Sequence, residues 1–336
     1  METIKNIKRN SIILLIITII VLFFLLKDNL GSIVITLSKI NLFYLLIAIL
    51  LYFIYIVSKA YIIYKSVNEK DKLTFKEAVK HNVITQFFNG ITPFSTGGQP
   101  MEVYMIAEHG IKVSKATSVT IENFIFYQTA LVIYGVIAVA CNWTFNLFPK
   151  VALLQHLVLL GFIINVIVAV ALYVIMLSKT ITGKVSNWII TFLGKIKIIK
   201  NIPKAKAYWD EKLEEFHGVS KDLLGKRKIF IFGVLINFIG LTCLYIIPLF
   251  ITYGLHDFTS LNPMTAITSS AYVLLVGSFV PIPGASGGIE YSFVRFFGNF
   301  MPTVLLNALL IVWRFITYYF GMILGGFLFS TEKESD

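Results

Sequence analysis

Two short stretches of this sequence have the residue types to hold an anion. The first reads Phe88-Asn89-Gly90-Ile91-Thr92-Pro93-Phe94-Ser95-Thr96-Gly97-Gly98-Gln99-Pro100, and the second Pro281-Ile282-Pro283-Gly284-Ala285-Ser286-Gly287-Gly288-Ile289-Glu290. Aligned on Pro93 and Pro283, each runs proline, three residues ending in a hydroxyl, then two glycines. A glutamate follows each, Glu102 and Glu290, at different spacing. Proline and glycine break a helix, and the helix that restarts presents amide groups at the positive end of its dipole. Gly97, Gly98, Gly287 and Gly288 let a phosphate approach the backbone, while Asn89, Ser95, Thr96, Gln99 and Ser286 supply side-chain hydrogen bonds. Glycines that serve only tight helix packing would not need those polar neighbours.

Charges inside apolar runs are the second source of candidates. Arg314 falls near the middle of an apolar run, where insertion costs about 2.5–3.5 kcal/mol, so it should pair or face a cavity. Glu122 follows Gly98 by 24 residues and Arg314 follows Gly288 by 26. The two are expected at similar stations, facing a shared cavity as a charge pair or as substrate contacts. Arg295, two turns past Gly288, could hold a phosphate or snorkel to the surface. Lys59 is expected to snorkel. For Asn89, Gln128 and Asn237 two readings stand open, a site contact or a bridge between helices, since buried amides often only bridge helices.

The elements that carry these residues are membrane spans. Hydrophobic residues make up 57% of the 336 and charged residues 14%. A soluble domain carries about 25% charge, so too few charges remain to coat a water-facing surface. Apolar runs at Ser11–Leu26, Leu42–Tyr64, Ala116–Ala140, Ala152–Leu177, Ile229–Ile251 and Thr303–Phe329 have or approach membrane-spanning length. The first lacks a small-residue cleavage site and reads as an uncleaved span rather than a signal peptide. The net charge of +11 sits between the runs, as the positive-inside rule expects, which argues against nucleic acid. Both flanks of the first motif are basic, so the chain should leave and return to the same side there.

Residues 179–228 hold 12 Lys or Arg against 5 acidic residues. They read as a cytoplasmic insertion with an amphipathic piece near Trp188–Leu193 and a charged helix near Ala205–Leu224, lying on anionic headgroups. Each motif follows two spans and precedes one, entered from opposite sides. That predicts an all-α, polytopic fold: a single transmembrane domain with about six full spans and two re-entrant helical hairpins. Its halves, 1–140 and 152–330, should form an inverted repeat around a polar cavity, an arrangement common in transporters. Both termini should be cytoplasmic.

Enzyme chemistry finds little support. Gly284-Ala285-Ser286-Gly287-Gly288 satisfies a hydrolase pattern, but no histidine follows His256 to serve Ser286 as base. Cys141, Cys243 and the scattered histidines His81, His109, His156, His217 and His256 form no metal-type spacing. No phosphate-binding loop or dinucleotide fingerprint is present, so no metal or cofactor is expected and transport would be passive or ion-coupled.

The two motifs resemble those of the lysylphosphatidylglycerol synthase transmembrane family, over roughly Lys8 to Phe329. That family includes the N-terminal flippase domain of the multiple peptide resistance factor and the YbhN-type membrane proteins. The resemblance implies a bacterial plasma-membrane protein that moves phosphatidylglycerol-type or aminoacylated phospholipid between leaflets, lowering surface charge against cationic peptides. Full-length members add a soluble aminoacyltransferase domain, and with the chain ending at Asp336 no lysyl transfer is expected. The headgroup is expected on the two Gly-Gly helix starts, with Arg314 and Arg295 countering phosphate and Glu122 or Glu290 favouring an amine. A secondary transporter of a small anion, or a membrane partner of a separate lipid-modifying synthase, are the competing readings. Membrane phospholipids are the expected partners, with room for a homo-oligomer.

Overall fold

The computed structural model describes residues 30–67, 72–148, 152–196, 199, 201–224 and 227–333. The expected first span, Ser11–Leu26, lies outside them. The described chain is helical, with no strand. In order come α1 (Leu30–Ser38), α2 (Leu42–Val67), α3 (Phe75–Ile91), α4 (Gly98–Glu108), α5 (Val113–Phe145), α6 (Ala152–Leu177), α7 (Lys179–Lys195), α8 (Ile202–Leu224), α9 (Arg227–Gly254), α10 (Pro263–Gly277), α11 (Gly288–Phe297), α12 (Thr303–Arg314) and α13 (Phe320–Lys333). Short 3₁₀ turns at Pro93–Ser95 and Pro283–Ala285 join α3 to α4 and α10 to α11. A π-helical turn over Phe315–Tyr319 joins α12 to α13.

Among the described residues, five helices are long and apolar enough to cross a membrane: α2, α5, α6, α9 and the continuous α12–α13. Their outward faces carry exposed Leu46, Ile167, Ile231 and Phe327, a composition that only a lipid environment solvates without cost. The chain is therefore a polytopic, multi-pass membrane protein. Helix α1 packs on α12, with Ile33 buried.

The broken helices end where the residue types say they must. Thr74 starts α3 with a reciprocal cap: its backbone N–H donates to Glu77 Oε2 (2.6 Å) and its Oγ1 accepts from Glu77 N (3.3 Å). Thr92, just before Pro93, is extended at φ −111°, ψ 145°, and so ends α3. Asn262 caps α10 at Thr265 N (2.9 Å), with Pro263 in the first turn. Ile282, before Pro283, is again extended at φ −107°, ψ 141°.

Packing centres on α9, which lies along α2, α5 and α10. Tyr134 of α5 stacks on Phe238 of α9 at 4.2 Å and meets Tyr245 edge-on at 4.9 Å, while its hydroxyl bonds Thr242. Helix α13 runs along α3. The basic insertion forms a helical hairpin, α7 against α8, docked on α5 and α6. It presents exposed Ile181, Val185, Trp188 and Phe192 along one face of α7.

Candidate functional site

The two 3₁₀ turns meet inside the bundle, and their backbones correspond residue by residue. Phe94 has φ 54°, ψ 16°, and its counterpart Gly284 has φ 62°, ψ 13°. Ser95 and Ala285 follow at φ 54° and 51°. The match then ends: Gly97 is at φ −78°, Gly287 at φ 86°.

Beside the turns lies a cavity of about 710 Å³. Its lining is mixed: Lys59, Asn82, Asn89, Glu102, Gln128 and Arg314 are polar or charged. Phe124, Leu131, Ile164, Val168 and Leu274 are apolar. Tyr55, Tyr127 and Tyr318 stand in the lining with both.

Of the sixteen residues expected at the site, seven line this cavity: Asn89, Ser95, Thr96, Gly98, Gln99, Glu102 and Arg314. Pro93 and Gly97 shape the first turn without lining it. Pro283, Ser286, Gly287, Gly288 and Glu290 form the second turn and the start of α11 behind the wall. The remaining two lie elsewhere, Arg295 in keeping with the surface alternative that the sequence left open. Arg295 is exposed and lies over the Tyr291 ring at 5.4 Å, away from the cavity. Glu122 is fully buried but outside the cavity lining.

Arg314 makes its ion pair with Glu290 and not with Glu122. Its Nε donates to Glu290 Oε1 (2.7 Å), its Nη2 lies 2.6 Å from the same oxygen, and Nη2 also donates to the Gly284 carbonyl (3.0 Å). The guanidinium sits 4.7 Å from the Tyr318 ring, and the Tyr318 hydroxyl donates to the Gly90 carbonyl (2.8 Å). One helix thus grips both motifs, Arg314 holding the second turn and Tyr318 the last turn of α3. The π-turn between them is the kind of local irregularity often found at functional sites. Gly284 is required twice over, by its positive φ and because a Cβ there would lie 2.2 Å from the Tyr318 hydroxyl oxygen.

The expectation that both helix starts offer open amides to a phosphate is also corrected. Asn89 Oδ1 accepts from Gly98 N and Thr92 Oγ1 from Gly97 N, both at 2.9 Å. Gly98 has no room for a Cβ, which would meet Asn89 Oδ1 at 2.3 Å. Gly287 N donates to Glu290 Oε2 (2.6 Å). The chain caps these amides itself, and at α11 the favourable negative charge is already the protein's own carboxylate. Ser286 Oγ donates to the Pro283 carbonyl (3.1 Å) and is 2% exposed, which suits a turn-stabilising hydroxyl and not a nucleophile.

Several cavity residues escaped the sequence reading. Lys59 does not snorkel to a lipid face. It lines the cavity with its Nζ 4.9 Å from the Tyr127 ring and 5.7 Å from Tyr55. Asn165 joins three helices, accepting from Gln128 Nε2 (2.7 Å) and donating to Ser278 Oγ (2.8 Å); Gln128 both bridges helices and lines the cavity. His81 and His109, scattered in sequence, are brought together, with Nε2 atoms 3.3 Å apart.

The described residues therefore define a helical, multi-pass membrane protein in which two broken helices meet beside an internal, partly polar cavity. More specifically, residues 11–325 match the lysylphosphatidylglycerol synthase TM region, and the chain belongs to that family. A UPF0104 membrane protein of Archaeoglobus fulgidus is 25% identical over 261 residues, covering 76% of this chain and 75% of its own length.

Proposed function

We propose that this protein is a phospholipid translocase, moving lipids with a phosphate-bearing, phosphatidylglycerol-type headgroup between leaflets. The observation that carries this is the mixed lining of the cavity, polar and apolar together. Polar and charged groups from both broken helices and α2 suit a headgroup. Phe124, Leu131, Ile164 and Val168 suit the glycerol and the first methylenes of the tails. A small hydrophilic anion gains nothing from those apolar residues. Membership of the family supports the lipid reading.

The reading extends to the frame. The two broken helices are halves of an inverted repeat, which the matched dihedrals at Pro93–Ser95 and Pro283–Ala285 support. The basic hairpin α7–α8 faces the cytoplasm of a bacterial cell, as both termini do, following the distribution of Lys and Arg. An aminoacylated phosphatidylglycerol carried outward would lower surface charge and favour resistance to cationic peptides. No aminoacyl transfer is assigned to this chain; a separate synthase would supply such a lipid.

Purified protein in vesicles, with fluorescent phosphatidylglycerol, its lysyl derivative and phosphatidylethanolamine, tests this. Wild type is expected to move phosphatidylglycerol-type probes at least tenfold faster than empty vesicles. Thr85→Phe, which fills the cavity from α3, should abolish the gain. Folded wild type that moves no lipid would overturn the proposal in favour of the small-anion carrier or the enzyme partner.

A further inference from the structure

Among the described residues, three charged ones line the cavity: Lys59, Glu102 and Arg314. Arg314 is committed, its guanidinium bonded to Glu290 and to the Gly284 carbonyl. Lys59 is half-buried on α2 and rests over two tyrosine rings, and among the described residues it makes no ion pair within 4.0 Å. Glu102, on α4, is 7% exposed. Glu102, Lys59 and Thr120 all line the one cavity. Uncharged polar groups that line the cavity with them include Tyr55 and Tyr127 and the amides of Asn82 and Asn89. Glu122, on the neighbouring α5, is buried outside the lining.

We propose that Lys59 binds the phosphate of the substrate and that Glu102 is its exchangeable counter-ion, taking up one proton as the phosphate replaces it. This rests on the translocase reading above and names its anion site and coupling ion. The physical reason is competition. Two anions sharing one ammonium inside a low-dielectric wall repel each other, and neutralising one removes the repulsion. A lipid phosphodiester is too acidic to hold a proton at neutral pH, so the carboxylate takes it. The step balances: one phosphodiester monoanion and one proton enter, Glu102 passes from carboxylate to carboxylic acid, and Lys59 keeps its three protons. No covalent bond to phosphorus forms or breaks. The occupied site carries the same net charge as the empty one, so transport of a monoanionic lipid is electroneutral. Lysine suits this role better than arginine because a compact point charge exchanges partners without losing a bidentate geometry.

The test uses the full chain in vesicles with pyranine trapped in a weakly buffered lumen. Fluorescent phosphatidylglycerol is added outside, and its inward movement is followed by albumin back-extraction. A parallel arm supplies labelled inorganic phosphate in place of lipid. Wild type is expected to deliver one proton per lipid, at a rate unchanged by a valinomycin potassium potential. Lys59→Gln should slow lipid movement at least tenfold, with Lys59→Arg less affected. Glu102→Gln should deliver no proton with any lipid it moves, and that movement should become voltage-sensitive. Wild-type lipid movement without luminal acidification overturns the coupling, and this measurement needs no variant to fold. Unimpaired movement in Lys59→Gln overturns the anion site. Lys59-dependent phosphate uptake with acidification, but no lipid movement, supports the anion–proton site while overturning the lipid reading. Movement of neither by folded wild type overturns both.

Discussion

Arg314 and Glu290, 3% and 4% exposed, are each untenable alone in a membrane interior. Removing one partner of a buried pair costs about 3–5 kcal/mol, because the remaining charge loses its compensation. Arg314→Met and Glu290→Gln should each destabilise the purified protein by about that much, whereas the double variant should recover a substantial part of the loss. Thermal unfolding in detergent reads both. A double variant as unstable as the sum of the singles would mean that the pair is not coupled. Glu290 has a second duty, accepting from Gly287 N, so the recovery should be incomplete. Arg314 was visible in the sequence because a charge in an apolar run demands an explanation. Its partner was not: two glutamates stood at plausible stations, and only the helix packing brings Glu290 to it and leaves Glu122 elsewhere. Lys59 was misread for the same reason. A lysine near a span end satisfies the snorkelling rule equally well whether its side chain turns to lipid or inward over Tyr127.

At the scale of the element, the two turns make opposite predictions at matched positions. Gly284 and Phe94 share a left-handed backbone, but only Gly284 accepts it freely. Gly284→Ala adds a side chain at φ 62° and 2.2 Å from the Tyr318 hydroxyl oxygen, so it should cost about 1–3 kcal/mol. Phe94→Gly should be neutral or stabilising by up to about 1 kcal/mol, since relief of strain is offset by added freedom of the unfolded chain. Thermal unfolding of the two variants checks the pair of signs, and equal destabilisation in both would refute the equivalence of the turns. Tyr318→Phe tests the grip on the first motif. Losing the bond to the Gly90 carbonyl should raise hydrogen exchange over Gly90–Gln99 while leaving Gly284–Glu290 unchanged. The turns themselves were legible because proline and paired glycines announce a broken helix. The satisfaction of their amides by Asn89, Thr92 and Glu290 was not. A sequence shows that donors and acceptors are near in number, and only the turn geometry shows that they consume one another. His81 and His109 make the same point at longer range: 28 residues apart in the chain, their ring nitrogens meet at 3.3 Å because α3 and α4 fold back on each other.

The whole molecule is governed by where its charge lies relative to its spans. Insertion energetics favour Lys and Arg on the cytoplasmic side of short loops, and the loop between α4 and α5 carries Lys112 between a broken helix and a span. The connection after α11, carrying the exposed Asn299, holds the corresponding place in the second half. If the halves are related by inversion, these two sites lie on opposite sides of the membrane. A direct repeat would put them on the same side. Single cysteines at Lys112 and Asn299, in a background with Cys141 and Cys243 replaced by Ala, separate the two arrangements. An impermeant maleimide should label Asn299→Cys from outside intact cells and Lys112→Cys only in inverted vesicles. Lys204→Cys, on α8, should behave like Lys112→Cys, because the proposed topology puts the basic hairpin and the first motif's flanks on one side. Thr259→Cys, beyond α9, should behave like Asn299→Cys, since α9 separates Lys204 from Thr259 and is long and apolar enough to cross the bilayer. Labelling of positions 112 and 299 from the same side would rule out inversion. The turns would then meet for reasons other than symmetry, and the Lys59–Glu102 site would need a different route to both leaflets.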